Sequence, residues 1–147
     1  GTPIIVNVTG GMQDQCGFKL KDKFITYQDY KDIHSLHDWR KWQDNKDLTH
    51  GEWVKPVWPK TRSLQGSPPT PYIFDDRADW LEVSEKINEW YEMSDEERKE
   101  CGFKGHEFVC GDEAMMSARA MCGLFIDHMN TAFDKFQPRE RYEVYKV

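Results

Sequence analysis

Thr9-Gly10-Gly11 is the place in this chain where backbone chemistry concentrates. It follows Pro3-Ile-Ile-Val-Asn-Val8, a β-branched, mostly apolar run that suits a strand covered on both faces, as in a parallel sheet. Open α/β sheets bind ligands at the carboxyl ends of their strands. Exposed amides of a glycine turn there, or at a following helix start, suit a diphosphate. The chemistry on offer is electrostatic support of a bound diphosphate, with Thr9, Gly10 and Gly11 as the phosphate-binding residues. The plainer reading is a tight strand-to-helix turn and nothing more. Asp14 is read as the cap of the next helix, with a ligand hydroxyl as its other use.

The remaining reactive side chains are not arranged for catalysis. His34 and His37 are three apart and can share a helix face, but no third ligand stands at a convincing spacing, so no metal is assigned. Asp75, Asp76, Glu82 and Glu85 form no acid/base pair in an apolar surround and read as solvated helix faces and caps. There is no Gly-x-Ser-x-Gly and no cysteine beside a sensible base. No catalytic residue and no cofactor follow. Cys16, Cys101, Cys110 and Cys122 lack Cys-x-x-Cys spacing and read as reduced thiols of a cytoplasmic protein.

These residues need elements to hold them. Residues 19–70 are polar, rich in Trp and Pro, and without a clean period; they read as a long insert, with one helix over 32–42. Pro71-Tyr-Ile-Phe-Asp75 reads as a short second strand. Trp80, Val83, Ile87 and Trp90 predict an amphipathic helix over 78–93. Ser94-Asp-Glu-Glu97 is a capping box that opens a second helix running to Cys110, weakened by Gly102 and Gly105. Asp112 is expected to cap a third helix over 113–136, with Met115, Ala118, Met121, Cys122, Phe125, Met129, Phe133 and Phe136 as its core-facing side. Gln137-Pro138 ends it. The order predicts an α/β fold, a partial Rossmann-like parallel sheet with helical cover over 78–136. Trp39, Trp42, Trp53 and Trp58 read either as a satellite core under the insert or as a surface for an acceptor or partner.

Composition sets outer bounds. A chain of 147 residues is about one domain, able to bury roughly two thirds of its unfolded surface. The net charge of -6 and the lack of a basic stripe argue against a nucleic-acid partner. No apolar run reaches the ~18–20 residues of a membrane span. Two strands do not complete a parallel sheet, and an open sheet edge pairs with other chains, so a homo-oligomer is expected.

Gly1-Thr-Pro-Ile-Ile-Val, then Thr9-Gly-Gly-Met-Gln-Asp14, resembles the donor-lobe segment of GT-B glycosyltransferases of the glycosyltransferase group 1 and glycogen-synthase-like families. Those carry a small-x-Pro-hydrophobic-hydrophobic strand, a Gly-Gly turn and then an acidic residue. Pro71-Tyr-Ile-Phe-Asp-Asp and Met93-Ser-Asp-Glu-Glu-Arg-Lys-Glu-Cys-Gly-Phe-Lys-Gly-His-Glu-Phe-Val109 resemble the family's closing segments. The resemblance covers about 1–18 and 70–136. It implies a nucleotide-sugar donor, transfer to an acceptor, and a single lobe truncated at its start. The family's pair of Glu separated by seven residues falls ahead of Gly1, so a piece inactive by itself is expected. The competing expectation is a non-catalytic α/β interaction module that meets its partner through the Trp-rich insert.

Overall fold

The computed structural model describes residues 1–25, 41–112 and 114–139. The helix expected over 32–42 lies almost wholly outside the described residues, as do His34, His37 and Trp39. The described chain is mixed α/β with a small parallel sheet and several helices.

Strand β1 (Ile4–Asn7) pairs in parallel with β5 (Val54–Val57), Ile4 opposite Val54 and Asn7 opposite Val57. Val6, Val8, Val54 and Val57 are buried on this pair, which explains the unbroken β-branched run. Between the two strands the chain makes a seven-residue 3-10 helix, η1 (Gly10–Cys16), and three short antiparallel strands, β2 (Lys19–Leu20), β3 (Lys23–Phe24) and β4 (Leu48–Thr49), in the order β3-β2-β4. The core joins Val6, Val8, Cys16, Phe18, Val54 and Trp58, with Trp42 and Trp53 packed against it. Full burial of each such side chain contributes roughly 1.5–3 kcal/mol. The described Trp of the insert are thus core residues: Trp58 lies tilted against Phe18, ring centroids 5.5 Å apart, and Trp53 Nε1 donates to the Gln15 carbonyl.

The parallel partner of β1 therefore comes from inside the insert, not from 71–75. Its Val-Lys-Pro-Val sequence carries a proline, which a sheet accepts on an outer edge. The next amide along, that of Trp58, turns to Glu82 Oε1 at 3.5 Å. The strand expected at 71–75 exists but is longer, β7 (Thr70–Ala78), and forms an antiparallel hairpin with β6 (Pro59–Ser67). Beyond its base this hairpin is exposed.

Helix α1 (Trp80–Glu92) is capped by Asp79, whose side chain accepts from the Leu81 amide. It lies where expected but turns differently. Trp80 and Ile87 are exposed, and Trp90 is buried. Its inward side is stitched by charge instead: Lys55 to Glu89 at 2.9 Å, Lys60 to Glu82 at 3.3 Å, and Lys55 over the Trp90 ring. Periodicity locates a stripe but not the neighbour that covers it.

Helix α2 (Asp95–Cys110) begins on the expected capping box, Glu97 N to Ser94 Oγ at 3.2 Å and Ser94 N to Glu97 Oε2 at 2.9 Å. Arg98 reaches back to the carbonyls of Trp90, Tyr91 and Met93, satisfying acceptors that the end of α1 leaves open. The buried residues of α2 are Cys101, Gly102 and Gly105. A Cβ on Gly102 would meet the Gly1 carbonyl oxygen, and one on Gly105 would meet Trp53 Cβ at 2.8 Å. Glycines that weaken the helix locally are what let the chain's first residues and Trp53 pack against it.

Helix α3 (Ala118–Lys135) is capped by Ser117, which accepts from the Ala120 amide, and not by Asp112. Ser117 stands one residue before the first helical turn; Asp112 is too far upstream. None of the described residues of α3 is buried. Met121, Phe125, Met129 and Phe133 all lie open, as do Met115 and Phe136 at its flanks, which corrects the expectation that this face is core.

Candidate functional site at the glycine turn

Thr9, Gly10 and Gly11 sit at the carboxyl end of β1, between it and η1. Gly10 has φ +52°, a left-handed conformation that favours glycine. The space where a Cβ would stand is empty within 4 Å at both Gly10 and Gly11. The first amides of a helix have no partner inside it. Thr9 occupies the cap position, yet its side chain makes no cap hydrogen bond.

The Thr9 hydroxyl is engaged elsewhere. Oγ1 donates to Asp76 Oδ2 at 2.9 Å. Arg62 grips the same carboxylate with both arms of its fork, Nε to Oδ1 at 2.5 Å and Nη2 to Oδ2 at 2.9 Å. Asn7 Nδ2 donates to the Asp76 carbonyl at 3.1 Å. Arg62 and Asp76 are direct cross-strand partners in the hairpin, so the ladder itself sets their approach. The Asp76 side chain is 9 % exposed and that of Arg62 24 %. The Arg62 hydrogen bond holds the Asp76 carboxyl below its ordinary range; burial opposes this, and the Thr9 hydroxyl adds to it. Asn7 Oδ1 is buried beside the turn with no hydrogen-bond partner among the described residues.

The base of the hairpin thus buttresses the turn from behind, while its glycines face open space. Asp76, expected on a solvated face, is instead the hub of this network. Nothing local marks it, because its partners are 14 and 67 residues away. Asp14 lies within η1 and caps no helix. Its neighbour Cys16 is fully buried, and burial, helped by the Asp14 charge, pushes the thiol up to about 12. Among the described residues, no three His, Cys, Asp or Glu converge as a metal site. Among the same residues, no helix is long and apolar enough to cross a membrane.

Comparison with known proteins returns no match to any family model, curated protein or solved structure. The reading of the site stands on its residues.

Proposed function

We propose that this chain contributes to a nucleotide-sugar-binding lobe of GT-B type, in a protein that transfers a glycosyl unit to an acceptor. Thr9, Gly10 and Gly11 would lie against the donor's diphosphate. The observation that carries the reading is the glycine turn at the carboxyl end of a parallel strand, open at both glycines and braced by Asp76. Amides held in this way stabilise charge on a leaving diphosphate with little reorganisation.

A thermal-shift titration with UDP, GDP, ADP, UDP-glucose and GDP-mannose tests it. Saturable stabilisation by one base is expected, about 2.7 kcal/mol at a hundredfold excess over Kd. Gly11→Val should abolish that gain without lowering the melting temperature of the free chain, because a Cβ there meets nothing. A cooperative melt that no nucleotide moves would reject the donor reading.

The exposed apolar side of α3 favours a companion reading, in which a second copy of this chain covers it. Light scattering should then give a mass above that of one chain, and Phe125→Glu with Phe133→Glu should return it to the monomer. A monomeric wild-type chain at high concentration would reject it.

A further inference from the structure

On the side of the core formed by β2, β3, the loop before β5 and α2 there is a cavity of about 410 Å3. Its size is that of a small-molecule site. It contains none of Thr9, Gly10 and Gly11, and the reasoning below does not depend on the donor reading.

One wall is aromatic. Trp53 stacks on Phe108 with ring centroids 4.5 Å apart, and Phe24 continues the strip, 5.7 Å from Phe108. Trp53 is covered on both faces, by Phe108 on one side and by Gly51 on the other, so the rings left to meet a ligand are Phe108 and Phe24. They form a wall on one side, not a slot that clasps a planar base from both sides.

The polar lining is balanced. Lys19 and Lys104 bring two positive charges, and Glu52 and Glu107 two negative ones. Lys104 is joined to Glu52 at 2.7 Å, and Lys19 lies over the Phe24 ring. The Glu107 carboxylate makes no hydrogen bond or ion pair among the described residues. His50 Nδ1 lies 2.9 Å from the Gly51 carbonyl and donates to it, which leaves Nε2 as the ring nitrogen free for a ligand. Acceptors and donors at the rim of an aromatic wall, with no net charge, match a ligand that has an apolar ring face and a girdle of hydroxyls. They do not match a phosphate.

We propose that this cavity binds one ring of a neutral carbohydrate, the ring face on the aromatic strip and its hydroxyls shared between Glu107, His50 and Lys104. The test is a two-dimensional 1H–15N NMR titration of the full 147-residue chain with maltose, cellobiose and lactose, with inorganic phosphate as the comparison. Saturable shifts confined to Gly51, Trp53 (amide and indole), Lys104 and Glu107 are expected with at least one disaccharide. Glu107→Gln should weaken that binding by about tenfold, the loss of one hydrogen bond to a charged group. Lys104→Met supplies a second surface variant with the same expected direction. A well-dispersed spectrum that no sugar shifts, shifts that Glu107→Gln leaves unchanged, or a response to phosphate in place of sugar would each overturn the proposal.

Discussion

Thr9 and Asp76 stand 67 residues apart in the chain, and their side chains meet at 2.9 Å. The hydroxyl that would ordinarily close the start of η1 is held by a carboxylate from the hairpin instead. The same carboxylate is fixed by Arg62, so three segments that are remote in sequence share one polar joint.

That joint makes stability depend on acid. The folded Asp76 carboxyl is held below its unfolded value of about 3.9, so the unfolded chain binds the proton more readily. Its contribution is present above pH ~4 and is lost as pH falls through the folded value. Urea denaturation followed from pH 7 downward should show this loss in the wild-type chain. Asp76→Asn should lower stability by about 1–3 kcal/mol at neutral pH and flatten that part of the acid profile.

The glycines of α2 and α3 should respond to alanine in opposite directions. Gly102→Ala and Gly105→Ala place a methyl against the Gly1 carbonyl and the Trp53 side chain, and each should cost about 1–3 kcal/mol. Gly123 lies within α3 with nothing near its Cβ position, so Gly123→Ala should stabilise the helix by up to ~1 kcal/mol. Helicity and urea midpoints by circular dichroism separate the two outcomes.

Thiol accessibility should divide the cysteines in pairs. Cys110 and Cys122 are exposed, and Cys16 and Cys101 are buried. Mass spectrometry after brief alkylation of the folded chain should find the first pair modified and the second protected. The buried Cys16 thiol stays protonated to about pH 12, whereas an unfolded thiol ionises near pH ~8.5. Between those values the unfolded chain holds fewer protons, so stability should fall as pH rises, and Cys16→Ala should remove this alkaline slope while leaving a cavity defect at neutral pH.

The turn between β2 and β3 offers a gain. Lys21 and Asp22 both have positive φ, 49° and 65°, as a two-residue type I′ turn requires. Asn and Gly adopt that conformation with less strain. Lys21→Asn with Asp22→Gly should raise the melting temperature, by roughly 1 kcal/mol in stability; differential scanning calorimetry would register it.

Local signals in the sequence translated well. The Ser94–Glu97 box, the β-branched run before Thr9 and the helix over 80–92 are written in neighbouring residues, and each appears in the fold. What failed required knowledge of neighbours. Val54–Val57 is a poor strand on paper because of Pro56, yet it pairs with β1 because the valines around it are buried there. The period of α3 announced an apolar face correctly but could not say that nothing among the described residues would cover it. Asp76 looked like one of many surface carboxylates until the hairpin register set it opposite Arg62.

The hairpin has one further consequence, for engineering. Its base is tied into the core through Asp76 and Arg62, but its far end, Ser67-Pro-Pro-Thr70, is exposed, with Ser67 and Thr70 as the last ladder pair and their hydroxyls in contact. Pro68 and Pro69 have no amide hydrogens to surrender there. A peptide spliced between the two prolines would leave the β1–β5 register and the polar joint untouched. This loop is accordingly the natural port for an epitope tag, a fluorophore or a surface-immobilisation handle, at a distance from both candidate sites.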